Sequence, residues 1–316
     1  MKFNFSSQSE NAGVTHRPLL DDSRIMRLLQ QGRSLATTSG TVPVNSHEQR
    51  AGEQYSPFRG SGFDYDESRM YQPGDDLRYI NWRLVARSGE LYSKVFREER
   101  ESSCLFVIDR RSAMRFGTQQ MLKVSRAIEL AIVLAGKYLH QGFSVGGLLI
   151  QPDSHWIPPQ HGQHHILAAC HDFASACPPL DIASSIPDIN MMLSQLAARA
   201  STGCELILLS DFYDLNESRS ALLTRLSQQH LVKAIQVLDP IELELPQSGS
   251  WLLNGYPHQD VIRVTDEDAA LKQQYQTSIH QQQKQLTQLF ANNQIPFTSI
   301  LTSNDLESCL KQVLHG

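Results

Sequence analysis

The chain has 316 residues, a net charge of −5 and 41% hydrophobic residues, the size of one large domain with a smaller companion and an ordinary globular composition. The mild acidity argues against a general nucleic-acid binder. No apolar run approaches the ~20 residues of a membrane span, and Met1–Glu10 lacks a signal-peptide core, so a cytoplasmic location is expected.

Met1–Gly13 has little to bury and is expected to be mobile. Asp22-Ser23 is placed to cap a helix from Arg24 to about Leu35, with Ile25, Leu28 and Leu29 on one face. A polar stretch, Thr37–Gln54, reads as a linker. Residues 1–53 are thus expected to be an amino-terminal helix and flexible linker.

Residues 54–102 read as a small β-rich module. Pro73-Gly74-Asp75 marks a turn, because proline presets one backbone angle and glycine allows the next. Leu91–Phe96 alternates like a strand.

Residues 103–316 read as an α/β domain with a mostly parallel sheet and helices on both faces. Ser103–Asp109 is a continuous apolar run ending in an aspartate, the mark of a strand buried on both faces. A helix is expected over Thr118–His140, ended by Gly142. Strands follow at Phe143–Ile150 and Asp153–Ile157, and helices at His161–Ala176 and Pro187–Ala200. Cys204–Asp211 repeats the pattern of a buried strand tipped by an aspartate. Leu215–Gln229 is helical and Leu231–Leu238 is a strand. Glu242–Arg263 is irregular, and Thr265 with Asp268 suggests a capping box for a glutamine-rich helix to about Ala291. A strand at Pro296–Leu301 and a helix at Asn304–Leu314 complete the alternation, which implies a covered parallel sheet.

Chemistry is sought first at the two strand tips. If their strands are neighbours, Asp109 and Asp211 face one rim, where hard oxygen ligands would suit Mg²⁺. The bland alternative is that each carboxylate orders its own loop. The surroundings favour the latter: Arg111 and Ala113 stand where further ligands are needed, and Arg110, Arg111 and Arg115 repel a cation. An Arg–Asp pair within the loop is the preferred reading. Five cysteines, Cys104, Cys170, Cys177, Cys204 and Cys309, read as free thiols in a reducing compartment. Cys170 and Cys177, near His164, His165 and His171, match no common zinc spacing.

The Arg69–Arg87 stretch is dense in arginine, acid and aromatic residues. Such a mixture suits nucleic acid, but its interleaved acids favour an internal network or a protein partner. No nucleophile elbow or phosphate-cradling loop appears.

These residues carry a resemblance. Gly62-Phe63, Arg69-x-Tyr71-x-Pro73-Gly74-Asp75-Asp76-x-Arg78-x-Ile80-x-Trp82, Ala86-Arg87 and Val107-Ile108-Asp109 resemble domain-of-unknown-function family 58, over roughly Gln54 to the carboxyl terminus. The resemblance implies a von Willebrand factor A-like (Rossmann-like) domain behind a small β module, working beside a MoxR-type AAA+ ATPase. It also implies a metal-ion-dependent adhesion site, on which Asp109 and Asp211 match the two aspartates. Arg111 and Ala113 replace its two serines, and the loop around Ser184 and Ser185 is the place for its threonine. Asn81 and Val85 also depart from the usual aspartate and small hydroxyl residue near Trp82.

The expected function is a non-catalytic adaptor with no cofactor, Mg²⁺ being disfavoured. It would dock a MoxR-type ATPase and a client protein through Arg69, Asp75, Asp76, Arg78, Trp82, Arg87, Asp109, Arg111 and Asp211. The alternatives are a metal-dependent hydrolase using Asp109 and Asp211, and a nucleic-acid module built on Arg69–Arg87.

Overall fold

The computed structural model describes residues 3–5, 18–38, 64–97, 102–118, 121–177, 188–245, 251–255, 259–265 and 268–315. The chain divides into two compact units, residues 1–45 with 102–316, and residues 46–101. Its elements in chain order are β1 (Phe3–Phe5), α1 (Asp22–Thr38), β2 (Asp64–Met70), α2 (Trp82–Ser88), β3 (Tyr92–Arg97), β4 (Ser103–Asp109), α3 (Lys123–His140), β5 (Ser144–Ile150), β6 (His155–Gln160), α4 (Gln163–Ala174) and α5 (Ile189–Arg199). There follow β7 (Glu205–Ser210), α6 (Ser220–Gln229), β8 (Leu231–Leu238), α7 (Pro240–Leu243), β9 (Trp251–Gly255), β10 (Gln259–Val264), α8 (Ala269–Asn292), β11 (Phe297–Leu301) and α9 (Leu306–His315).

The larger unit is built on a six-stranded sheet in the order β11-β8-β7-β4-β5-β6. Its strands run parallel except β6, which pairs antiparallel with β5. Counted from β4 as the first strand, this is the doubly wound order 3-2-1-4-5-6. Successive strands leave β4 in opposite directions, to β5 on one side and β7 on the other. The crevice between the carboxyl ends of β4 and β7 is therefore the topological switch point, where such sheets bind their ligands.

The central strand is buried along its whole length, and its side chains alternate between two cores. Cys104, Phe106 and Ile108 enter a core shared with residues of α1, α3, α4 and α9. Leu105 and Val107 enter the opposite core, with residues of α5, α6 and α8. The period of two in a strand makes this division unavoidable.

Three expectations need correction. First, Met1–Gly13 contributes a strand: β1 pairs antiparallel with β9, Phe3 opposite Gly255, and β10 completes that three-stranded sheet. Second, α1 is not an appendage of a linker but part of the larger unit. Gly32 lies so close to α3 that a Cβ there would stand 2.0 Å from the Val133 carbonyl oxygen, and one on Gly136 would stand 2.5 Å from that of Leu29. Thr37 and Thr38, expected in the linker, belong to α1, while residues 39–54 and the Ser184–Ser185 loop lie outside the described residues. Third, α3 begins at Lys123 rather than Thr118; Thr118 N–H instead donates to Asp239 at 2.8 Å.

In the smaller unit β2 and β3 pair antiparallel, Arg69 opposite Ser93. Gln72–Asp75 forms the expected turn, closed by Asp75 N–H donating to the Gln72 carbonyl at 3.0 Å, with Gly74 at φ 107°. The module is not purely β. Asn81 caps α2, its Oδ1 accepting from Leu84 N–H at 3.3 Å, and Gly89 ends that helix at φ 77°. Gly62-Phe63 lies outside the described residues.

Candidate functional site at the switch point

Asp109 ends β4 with only 1% of its surface exposed. Its carboxylate is saturated by internal donors. Oδ1 accepts from Arg111 N–H at 2.9 Å and from Arg111 Nε at 3.0 Å. Oδ2 accepts from Arg111 Nη2 at 2.8 Å and from the Ser210 hydroxyl at 2.7 Å. A carboxylate has about four acceptor positions, and all are taken.

The Arg111 guanidinium then reaches a second carboxylate. Nη1 donates to Asp214 Oδ2 at 2.6 Å and Nη2 to Asp214 Oδ1 at 3.0 Å. Asp214 Oδ2 also accepts from Ile189 N–H, at the start of α5, at 3.1 Å. The guanidinium carbon sits 5.6 Å from the Tyr213 ring centre, within cation–π range. Arg111 is 3% exposed, so one buried fork joins two acids on adjacent loops. Burial pushes the Asp109 carboxyl up, but the Arg111 charge and its hydrogen bonds outweigh this and hold it below the usual carboxylate range.

Asp211 does not join this cluster, which corrects the expectation of paired aspartates. In the register of β4 and β7, Val107 lies beside Leu208 and Ile108 beside Leu209. The residue next to Asp109 is therefore Ser210, and one step further along a strand reverses the face. Asp211 accordingly points to the α3 side, where Lys123 Nζ donates to its Oδ2 at 2.9 Å and to Glu242 Oε1 at 2.7 Å. Burial lowers the Lys123 ammonium, but Asp211 and Glu242 more than reverse this and hold it above its ordinary value. Glu242 Oε2 accepts from Asp239 N–H at 2.8 Å, a capping box for α7 that sequence reading passed over. Asp239 also accepts from Thr118 N–H at 2.8 Å and the Thr302 hydroxyl at 3.1 Å.

A divalent cation does not fit the switch point as it stands. Its place between Asp109 and Asp214 is filled by a guanidinium, and no oxygen of Asp109 has acceptor capacity to spare. Among the described residues no group of three or more His, Cys, Asp or Glu side chains is placed to hold a metal ion. The rim also cannot be a docking face through Asp109, Arg111 and Asp211 themselves, since Asp211 too is only 4% exposed. Arg110 turns inward as well, donating to the Ser175 carbonyl at 2.6 Å and hydroxyl at 3.0 Å.

The smaller unit gathers a different set. Arg69 pairs with Asp75 at 2.5 Å, and Asp75 also accepts from Gln72 N–H at 3.0 Å. Arg78 pairs with Asp76 at 2.6 Å, and its side-chain hydrogen bonds lower the Asp76 carboxyl. Asn81 donates to the Ser68 hydroxyl at 2.9 Å. Trp82 is 65% exposed, and Met70, Leu77, Tyr79 and Leu91 are exposed too. Arg83 and Arg87 lie on the same surface helix and are exposed.

The sequence singled out Asp109 and Arg111 but missed Ser210, Asp214, Lys123 and Glu242. For Ser210 and Asp214 the only signal was adjacency to Asp211. For Lys123 it was a cation at the first position of a largely apolar helix.

Fold and site together define a doubly wound α/β protein whose switch point is closed by internal ion pairs. The chain belongs to DUF58, a protein family of unknown function, whose profile matches residues 67–285. Similar proteins are the uncharacterized Rv1480 of Mycobacterium tuberculosis (strain H37Rv) and Mb1516 of Mycobacterium bovis. Each is 24% identical over 306 residues, covering 95% of this chain and 93% of its own. Among solved structures, the conserved hypothetical protein BatB from Bacteroides thetaiotaomicron matches with a TM-score of 0.41 and 11% identity over 68% of this chain and 97% of its own. An aerotolerance-related membrane protein from Bacteroides fragilis matches with a TM-score of 0.39 and 13% identity over 68% of this chain and 100% of its own. At those TM-scores neither carries an argument. No helix among the described residues is long and apolar enough to cross a membrane.

Proposed function

We propose that this protein is a non-catalytic adaptor: a von Willebrand factor A-like domain in the cytoplasm, working with a MoxR-type AAA+ ATPase in assembling or maturing a client protein. One observation carries the reading. The charges at the sheet's carboxyl rim are spent on one another, while the smaller unit presents Trp82, Leu77 and Tyr79 to solvent beside Arg83 and Arg87. Exposed tryptophan, tyrosine and arginine are the residue types that dominate protein–protein binding energy. Acid–base or nucleophilic chemistry needs a group poised for a substrate, and Asp109 is already saturated. The von Willebrand A-like assignment is supported by the strand order and by the aspartates ending β4 and following β7. The hydrolase alternative loses support because its two would-be ligands are held apart by different cations, Asp109 by Arg111 and Asp211 by Lys123.

The test is co-purification of the full chain with a MoxR-type ATPase, with and without ATP. A complex is expected, and Trp82→Ala and Arg87→Ala should each weaken it at least several-fold while leaving the thermal midpoint in place. Absence of a complex at micromolar concentrations under both conditions would overturn the reading. The same exposed set would serve a nucleic-acid module. Binding to single-stranded RNA or DNA that weakens steeply with salt, and is lost in the same two variants, would favour that alternative.

A further inference from the structure

We propose that Arg111 is the resident cation of the switch point, filling a site that would otherwise take a divalent metal ion. Asp109 and Asp214 converge on its guanidinium with contacts of 2.6–3.1 Å, and the Ser210 hydroxyl donates to Asp109 Oδ2 at 2.7 Å. The oxygens are hard, two carboxylates and a hydroxyl, the chemistry that Mg²⁺ and Mn²⁺ prefer. They come from two neighbouring strand ends and the loop beyond, so the sheet itself fixes their spacing.

The charge balance makes the substitution consequential. One guanidinium serves two carboxylates, and it is tied to the main chain only two residues from Asp109. A diffusible ion can leave; this one cannot. The rim is thereby held in one arrangement whatever the metal concentration. Removing the side chain leaves an opening lined by two carboxylates without a counter-charge, an arrangement that either takes up a cation or a proton or disrupts the loops. This inference stands apart from the adaptor reading, because it concerns what holds the rim together and not what the protein binds.

The experiment is thermal unfolding of the full chain in millimolar MgCl₂ or MnCl₂, in EDTA, and in NaCl at matched ionic strength. The wild type should melt at one temperature in all of them. Arg111→Ala should melt several degrees lower in EDTA and regain much of that loss in Mg²⁺ or Mn²⁺, as linkage to a bound ligand requires. The Arg111→Ala/Asp214→Asn double variant should show no such recovery. If Arg111→Ala is recovered only as unfolded chain, its refolding yield should rise with Mg²⁺ and not with matched NaCl. A wild-type midpoint that rises with divalent ions and is reset by EDTA would overturn the inference. So would an Arg111→Ala variant, folded or refolding, that is indifferent to divalent ions.

Discussion

Phe212 follows the two residues that part company at the end of β7, and its backbone sits at φ 54°. A non-glycine residue held there stores on the order of 1–3 kcal/mol. What holds it is its ring, which is buried against Phe290 with ring centres 5.1 Å apart. Phe212→Ala should cost about 3–5 kcal/mol by denaturant melting. Phe212→Gly should cost less than Phe212→Ala, the reverse of the usual order, because glycine releases the strained backbone. His230 offers a second residue-scale test. It is buried, its Nδ1 makes no hydrogen bond among the described residues, and burial lowers its pKa. Below about pH 6.5 the unfolded chain takes up a proton that the folded chain refuses, so stability falls as pH drops through that window. Asp109 adds a fall at lower pH still, since its depressed carboxyl contributes stability only until it is protonated. His230→Gln should flatten the first decline and leave the second. At this scale sequence reading reached the Arg–Asp pair, because both residues sit in one loop. It misplaced Asp211, because which of two adjacent residues faces Asp109 depends on strand register, and register is a property of two strands at once.

Among elements, α1 and α3 depend most on close approach. Each contributes a glycine where the other's backbone passes, and Gly136→Ala should cost about 1–3 kcal/mol through forced separation. The same contact is tied by charge. Glu129 accepts from Arg24 at 2.5 Å and from Arg126 at 2.8 Å, while Arg126 also donates to the Asn304 carbonyl at 2.7 Å. Glu129→Ala leaves a buried guanidinium unpaired, and a loss of about 3–5 kcal/mol is expected in chemical denaturation. The central strands β4 and β7 were legible because burial on both faces writes an unbroken apolar run. The α1–α3 pairing was not, since a glycine in a helical pattern gives no hint of what crosses it. Nor was α2, whose seven residues are too few to display a period.

Over the whole molecule, each of the two units carries its own kind of chemistry. The larger spends its charges internally, and the smaller exposes aromatic and cationic side chains. Replacing residues 46–101 by a flexible Gly/Ser bridge should leave the larger unit with a cooperative thermal transition, read by circular dichroism, and abolish any complex that Trp82→Ala weakens. Family membership and the α/β class could be read from the Pro-Gly-Asp-Asp-x-Arg segment and the alternation of strands and helices. The strand β1 could not, because three residues beside a distant hairpin leave no local trace.

The sheet order also sets a timetable for synthesis. Ser103 and Cys204, joined across the β4–β7 boundary at 2.9 Å, are 101 residues apart in sequence. At ribosomal speeds of about 5–20 residues per second, β4 waits roughly 5–20 s with one edge bare before its neighbour emerges. An apolar strand with an open edge is a template for aggregation. Nascent chains stalled before Glu205 should therefore collect in the insoluble fraction or on holdase chaperones, and those stalled after β7 has cleared the exit tunnel should not.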